Sequence, residues 1–409
     1  MFGPSLATPA AATTAPLAFT RSTPISTAGN NNAVGAYALA NNISGNSNTA
    51  NGYAALYRNT TGDANTANGA HALLGNTTGG SNTATGAAAL TNNTTGNSNT
   101  ANGVDTLALN TTGGGNTANG SGALFSNATG IENTANGVDA LTSNTIGIEN
   151  TADGVDALVS NTTGQQNTAT GWQALLSNTT GVGNTANGGN ALVSNTTGSA
   201  NTANGQQAFN NNTSGSGNVA LGVAAGSNAT TGDSNVYIGA GMIDVAGESN
   251  ACYIASIFGQ TSASGIPVLI NASNKLGTTI SSKRFKEGIK PMDKASETIL
   301  ALKPVTFRYK KEIDPAGTSQ FGLVAEEVEK VNPDLVVRDR EGKPYSVRYD
   351  QVNAMLLNEF LKEHRKNEEQ EATIAKQQKQ IEALTMGLQK VTDQLELSKA
   401  APRTVGNNQ

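Results

Sequence analysis

The chain has 409 residues, of which 37% are hydrophobic, 4% aromatic and 13% charged, and its net charge is −5. Of the 25 Lys and Arg residues, 22 lie in residues 281–409, where 20 Asp and Glu nearly balance them. This distribution leaves no basic stripe for nucleic-acid binding. It also leaves no apolar run of about eighteen residues for a membrane span. The single cysteine, Cys252, excludes an intrachain disulfide and a cysteine-based metal site.

Residues 1–30 are rich in Ala, Thr, Ser and Pro, and they lack a charged start followed by an apolar core. They do not read as a secretion signal, so we expect a flexible leader. The identity of whatever anchors this end stays open.

A repeat of 17 residues follows, in which Asn-Thr-Ala-Asn-Gly or a variant recurs from Asn48 to Asn235, with a fainter copy at Asn31. A fixed period without insertions indicates one structural unit stacked on itself. Short Thr-Ala-Asn-Gly and Ala-Leu runs predict short strands and tight turns, with two glycines per copy supplying positive-φ corners. Residues 31–240 are therefore predicted to form a parallel β-solenoid or β-roll, a rod on the order of 60 Å long at about 4.8 Å per copy.

Each copy has little to bury, so three coils packed around an axis would be more stable than one. The last two copies read Asn218-Val219-Ala220-Leu221-Gly222 and Asn235-Val236-Tyr237-Ile238-Gly239. They resemble the head motif of trimeric autotransporter adhesins, which implies a β-roll within a trimer. Whether the Asn and Thr files face inward or outward stays open.

Three interpretations of the Asn and Thr files compete. They satisfy backbone groups of the coils, they form a face that binds a receptor or glycan, or they bind ice through the Thr file that includes Thr66 and Thr83. A glycan-cleaving rod would need a carboxylate pair. The repeated acidic positions predict aligned surface charges instead (Asp105, Asp139 and Asp156; Glu132 and Glu149).

Beyond the repeat, residues 241–280 are predicted to form a β neck. The sequence predicts strands at Cys252–Phe258 and Pro267–Ile270, and a turn at Asn271–Asn274. We expect Cys252 to be a buried small apolar residue.

Four segments follow in order: Ser281-Ser282-Lys283-Arg284-Phe285-Lys286, then 302–309, 321–328 and 345–350. This ordered set resembles the intramolecular chaperone domain of phage tailspikes and endosialidases, the peptidase S74 family, over about residues 275–385. The resemblance implies an α+β chaperone core at 281–349, which drives trimerisation of a β-rich fibre and then cuts itself off.

The resemblance also assigns roles to individual residues. Ser281 and Lys286 would be the catalytic dyad, with Arg284 and Glu326 supporting it, and the bond cut would be Ile280–Ser281. Two positions depart from the family pattern: Ser282 replaces an Asp, and Glu326 stands where the family usually has Gln.

The chemistry of such a dyad follows from its side chains, without the family resemblance. A serine hydroxyl is a weak nucleophile until a base takes its proton, and a lysine is a base only when neutral. Burial or adjacent positive charge favours the neutral form. Lys283 and Arg284 would supply that charge, Phe285 some desolvation, and a turn could bring Lys286 back to Ser281. The alternative is an uncut chaperone that serves as a permanent trimerisation foot.

A long helix is predicted over residues 350–400, with a disordered tail at 401–409. Apolar residues recur at heptad spacing toward its end, which indicates a coiled coil (Ile374, Ile381, Leu384, Leu388, Val391 and Leu395). Another set suits packing on the helix's own domain (Val352, Met355, Leu356, Phe360 and Leu361).

The sequence thus predicts a mostly β homotrimeric fibre: a repeat rod, a small α+β chaperone domain and a coiled-coil helix. The predicted partners are further copies of the chain and, for the rod, a cell-surface glycan or receptor. We expect no cofactor, no metal and no nucleic-acid partner. A virion tail fibre or a bacterial surface is the favoured location.

Overall fold

A computed structural model describes residues 29–242, 245–260 and 265–399. The chain divides into two compact units, Met1–Thr261 and Ser262–Gln409. Most of the predicted leader and the whole of the predicted tail lie outside the described residues.

The first unit is a parallel β-solenoid, as predicted. Fourteen strands form one sheet in which each strand pairs with the next along the chain. The strands are β1 (Asn32–Val34), β2 (Thr49–Asn51), β3 (Thr66–Asn68), β4 (Thr83–Thr85), β5 (Thr100–Asn102), β6 (Thr117–Asn119), β7 (Thr134–Asn136), β8 (Thr151–Asp153), β9 (Thr168–Thr170), β10 (Thr185–Asn187), β11 (Thr202–Asn204), β12 (Val219–Leu221), β13 (Val236–Ile238) and β14 (Cys252–Ile254).

The sequence period sets the strand register. Thr49 pairs with Thr66, and Ala50 pairs with Ala67, so identical repeat positions stack coil upon coil. Along β3 the first and third residues are exposed and the central Ala67 is buried, as the two-residue alternation of a strand requires. The strand threonines therefore face outward.

Two asparagine files face inward, which answers the question that the sequence left open. In the first, Asn65 donates Nδ2 to Asn48 Oδ1 at 3.2 Å and to the Gly79 carbonyl at 2.8 Å. In the second, Asn76 donates Nδ2 to Asn59 Oδ1 at 2.7 Å and to the same carbonyl at 2.9 Å. These four asparagines are fully buried. These amides are paired along the rod, so their buried polar groups are satisfied. At the end of the second file Asn212 Oδ1 is buried without a partner among the described residues.

The apolar core consists of the strand alanines and the Ala-Leu pairs. Leu56 is fully buried and has a left-handed φ of 52°, which recurs at Leu90 with φ 52°. An L-residue in this region costs roughly 1–2 kcal/mol, so packing must outweigh strain in every coil.

The two glycines of a copy have different roles. Gly52 has a φ of 139° and forms a positive-φ corner as predicted. Gly62 does not have a positive φ, so that prediction is wrong for the second glycine. A Cβ at Gly62 would lie 2.3 Å from the Gly79 carbonyl oxygen. The second glycine is therefore required by close backbone approach between coils.

Aromatic residues fill the core near the end of the solenoid. Phe209 and Tyr237 are fully buried and contact edge to face, with ring centroids 5.3 Å apart. Tyr253 stacks on Tyr237 at 5.5 Å. Cys252 is exposed, so the prediction of a buried cysteine is wrong. It is the first residue of β14, an outward position of the strand face.

The second unit is a small α+β domain followed by a long helix. It contains β15 (Val268–Ile270), β16 (Leu276–Thr278), β17 (Val305–Phe307), β18 (Gln320–Gly322), α1 (Ala325–Val331), β19 (Val336–Arg338), β20 (Pro344–Val347) and α2 (Tyr349–Lys399), with 3₁₀ helices at Lys283–Phe285, Asp293–Ala301 and Pro333–Leu335. Three antiparallel pairs form: β15 with β16, β17 with β18, and β19 with β20. Asn271 Oδ1 accepts from the Ser273 and Lys275 amides, which makes the predicted turn.

The core of this unit is small: Val328, Leu335, Val336, Val347 and Met355 are its buried apolar residues. Met355 and Val352 pack the first turns of α2 on the domain, as the own-domain interpretation predicts. Leu356, Phe360 and Leu361 are exposed, so for these three residues that prediction is wrong in the single chain. Among the described residues, no helix has the length and apolar character needed to cross a bilayer.

Candidate functional site

Ser281 and Lys286 lie together at a short turn that follows β16. The 3₁₀ helix Lys283–Phe285 reverses the backbone, with the Phe285 amide bonded to the Ser282 carbonyl at 3.0 Å and the Lys286 amide to the Lys283 carbonyl at 3.1 Å. The turn places Lys286 Nζ 3.1 Å from Ser281 Oγ, at hydrogen-bond distance. The five-residue spacing is thus sufficient to join the two side chains.

The environment of this pair is open in the single chain. Residues 280–290 are all exposed, and Ile280 itself is 58% exposed. The Arg284 guanidinium lies over the Phe285 ring, 4.5 Å from its centroid, so these two neighbours contact each other. In the part of the chain that the structure describes, nothing removes water from the Ser281–Lys286 pair.

Glu326 belongs to a different element. It lies in the first turn of α1 and is exposed. Within the described part of the chain, its carboxylate makes no hydrogen bond or ion pair with Ser281 or Lys286. A single chain therefore brings together the serine and the lysine of the predicted site but not the glutamate.

A second Ser–Lys contact, not predicted from the sequence, joins Asp293–Ala301 to α2. Ser296 is fully buried; its hydroxyl donates to the Glu359 carboxylate and accepts from Asn358 Nδ2 at 2.7 Å. Lys362 Nζ lies 3.5 Å from Ser296 Oγ, but also 2.7 Å from the Glu359 carboxylate and 3.4 Å from that of Glu297.

Carboxylate contacts of the lysine distinguish this cluster from the Ser281 pair. The hydrogen bonds from Lys362 and Ser296 lower the pKa of Glu359, while the hydrogen bond to Glu359 raises the pKa of Lys362. A lysine held in its charged form cannot accept a serine proton, so we interpret the cluster as a clasp that docks α2. The only local sequence signal was the three-residue spacing of Glu359 and Lys362.

Large apolar side chains of the second unit are exposed in the single chain. The heptad residues of α2 are between 52% and 72% exposed. Every residue of the β15–β16 hairpin is exposed, although an isolated hairpin is marginally stable. A groove of about 530 Å³ is lined by Leu302, Val305, Phe321 and Leu356 among others, and Phe321 is 83% exposed.

Residues 281–337 match the family model of peptidase S74, described as chaperone of endosialidase. The match begins at Ser281, and it covers Glu326 as well. Comparison with curated proteins and with solved structures gave no match. A segment that matches this chaperone family, following a β-solenoid in the sequence, fits a tail-fibre-like protein.

No group of three or more His, Cys, Asp or Glu residues in the described chain could hold a metal ion.

Proposed function

We propose that the protein is a homotrimeric fibre, on a virion tail or a bacterial surface, whose C-terminal domain assembles three chains. The observation that carries the proposal is the exposed apolar surface of the second unit. A seam of six residues on α2 with heptad spacing has no partner within the described chain, and such a seam packs into the seams of neighbouring helices. The family match supplies a chaperone domain beside it.

The solenoid explains why assembly needs a chaperone. Each coil contacts only its neighbours, so a rod of many weakly cored coils has no long-range contact to align one chain with another. When three chains are held together at one end, the later pairing of their rods becomes intramolecular. Each rod then meets the other two at a high effective concentration. The rods then associate from the end nearest the chaperone.

The occupant that we propose for the groove at Phe321 is a second copy of this chain. The groove is apolar, and it lies beside the first turns of α2, whose later turns carry the seam. Apolar residues of a neighbouring subunit, such as those of the exposed β15–β16 hairpin, have the chemistry to fill it.

We further propose that Ser281 and Lys286 cleave the Ile280–Ser281 bond once per chain. Neutral Lys286 Nζ would accept the Ser281 hydroxyl proton, and the oxygen would attack a carbonyl carbon. The oxygen attacks either its own preceding carbonyl, through an N→O shift, or that of another chain. One water is consumed overall, giving the Ile280 carboxylate and a new amino terminus at Ser281. Since the pair is exposed in one chain, desolvation by neighbouring subunits would switch the lysine to its neutral form.

The test compares the intact mass and light scattering of the full-length protein with those of Ser281→Ala and Lys286→Ala. Ser282→Ala is the matched control, since Ser282 makes no side-chain cap hydrogen bond at this turn. We expect a fragment that begins at Ser281 in the wild type and the control, and uncut chains in both dyad variants.

The other outcomes separate the two parts of the proposal. Uncut wild-type trimers would refute cleavage and leave a permanent trimerisation foot, with receptor binding by the rod as the function. An uncut wild-type monomer would refute assembly itself.

A further inference from the structure

The solenoid coils contain an exposed aromatic residue that neither the fold nor the proposed assembly explains. Trp172 is the single tryptophan of the chain, and it is 54% exposed. It follows the corner glycine Gly171 of its coil, at a place that we call the corner-following position. Val138 and Val155 occupy the corner-following position in the two preceding coils.

The other aromatic residues of the solenoid coils have an aromatic neighbour, except Phe125, which is partly buried. Phe209, Tyr237 and Tyr253 form the core cluster already described. Tyr53, which also occupies the corner-following position, contacts Tyr37 at 5.8 Å and His71 at 5.4 Å between ring centroids. Within the described residues, the Trp172 indole has no such ring partner, so its exposure has no packing explanation.

The coil after Trp172 leaves space beside it. Gly189 holds the corner-following position there, and a Cβ built on it would meet nothing closer than the Trp172 carbonyl oxygen at 3.8 Å. The Asn190 amide donates to that carbonyl at 2.9 Å, which fixes the coil register. The next side chain in this file belongs to Gln206, two coils and about 10 Å away. Trp172, Gly189 and Gln206 thus outline a notch one coil high.

Polar side chains with unused hydrogen-bonding groups border the notch. Asn187 and Asn204 lie on the exposed strand face, and Gln206 and Gln207 are exposed next to the corner. None of these four amides makes a side-chain hydrogen bond within the described chain. Each offers two donors and a carbonyl acceptor.

The charge of this region restricts the ligand. The sequence contains no Lys or Arg between Arg58 and Lys275, so the coils around the notch carry neither of these cations to balance an acidic sugar. The ionic neighbours on the same files are acidic, Asp153 and Asp156. Anionic glycans would therefore be repelled.

We propose that this notch, made by Trp172, Gly189 and Gln206, binds a neutral saccharide. A pyranose ring has an apolar C–H face that packs on an aromatic face, and hydroxyl groups that pair with amides. Binding sites of this kind combine an aromatic surface with a few convergent polar groups. The site lies in the solenoid, so its test does not depend on whether Ser281 cleaves the chain.

The single tryptophan makes the test direct, because all tryptophan fluorescence reports residue 172. The full-length protein, in its native assembly, is first exposed to acrylamide, and the quenching must show an accessible indole. It is then applied to an array of neutral, N-acetylated and anionic oligosaccharides. Each neutral hit is titrated by fluorescence, with tetragalacturonic acid as the anionic comparison. We expect a neutral oligosaccharide to shift the emission and the anionic one to leave it unchanged.

Substitutions to valine test the notch without disturbing the coil, since valine stands at the corner-following position in several coils. Trp172→Val and Gly189→Val should each weaken binding, measured by calorimetry, at least about tenfold, as expected for loss of a central aromatic contact. Val223→Ala, at the equivalent position three coils on, should change it less than about twofold. An indole shielded from acrylamide, no binding across the neutral panel, or unchanged affinity in Trp172→Val would each overturn the proposal.

Discussion

Removing one inward asparagine should loosen the solenoid locally, and Asn127 is the position where the magnitude is clearest. Its Nδ2 donates to Asn110 Oδ1 at 2.8 Å and to the Gly130 carbonyl at 3.0 Å, while its Oδ1 accepts from Asn144 Nδ2 at 2.8 Å. Asn127→Ala loses three hydrogen bonds, each worth about 1 kcal/mol net. It also leaves Asn110 Oδ1 buried without a donor, which adds roughly 1–2 kcal/mol.

The variant therefore loses about 4–5 kcal/mol of the free energy that opposes opening of the coils around residue 127. This loss corresponds to a roughly thousandfold increase in the opening equilibrium constant. Hydrogen exchange followed by mass spectrometry on the full-length protein measures this quantity coil by coil. The matched control is Asn102→Ala, because Asn102 is exposed and uses no side-chain hydrogen bond within the described chain. Equal exchange rates in the two variants would refute the view that the inward asparagines hold the coils together.

Asn127→Asp provides a second arm for the same prediction. The aspartate keeps an oxygen that accepts from Asn144 Nδ2. Its second oxygen replaces the Asn127 Nδ2 donor and faces two acceptors, Asn110 Oδ1 and the Gly130 carbonyl. Burial raises the folded-state pKa of such a carboxyl above its unfolded value of about 3.9. Stability is then greatest below that unfolded pKa and is lost as the pH rises. Exchange near residue 127 should therefore be faster at pH 7 than at pH 3.5, after correction for intrinsic rates.

Three further predictions concern glycine, alanine and the clasp at α2. Gly96→Ala should destabilise the solenoid by at least about 2 kcal/mol, since its Cβ would lie 2.3 Å from a carbonyl oxygen. Gly189→Ala should have the melting temperature of the wild type, because a Cβ there meets nothing closer than 3.8 Å. Ala200→Gly should raise thermal stability by up to about 1 kcal/mol because Ala200 has a φ of 57°, whereas Ala203→Gly, at a buried extended position, should lower it. For Glu359, whose pKa Lys362 lowers, the stabilisation is present above the unfolded pKa of about 4.3 and is lost as pH falls through the folded value. An acid titration of α2 docking should therefore show a transition in the wild type that Glu359→Gln lacks.

The solenoid shows how far a sequence pattern reaches. The 17-residue period predicted stacked coils and their register, because identical positions in a repeat without insertions must lie above one another. It did not predict that Leu56 and its equivalents adopt a left-handed backbone. Leucine disfavours that conformation in isolation, and only the packing of its side chain inside the coil enforces it. The pattern also did not distinguish a corner glycine, Gly52, from one required by close approach, Gly62.

Inward and outward placement was likewise decided by the folded coil. Asn65 and Thr66 are adjacent polar residues, and neither composition nor spacing says which of them is buried. The coil places the Asn65 amide where a backbone carbonyl and the preceding asparagine meet, so burial leaves no unpaired group. Cys252 was misplaced for the related reason that outward strand positions in β14 carry apolar residues.

In the C-terminal unit, the sequence by itself determined which residues lie close enough in the chain to meet through one turn, and tertiary structure decided the rest. Ser281 and Lys286 are five residues apart, so one turn joins them. Ser296 and Glu359 are 63 residues apart, and they meet only because the first turns of α2 pack on the small core. A local pattern restricts the backbone over a few residues, whereas the meeting of distant side chains depends on how every element between them packs.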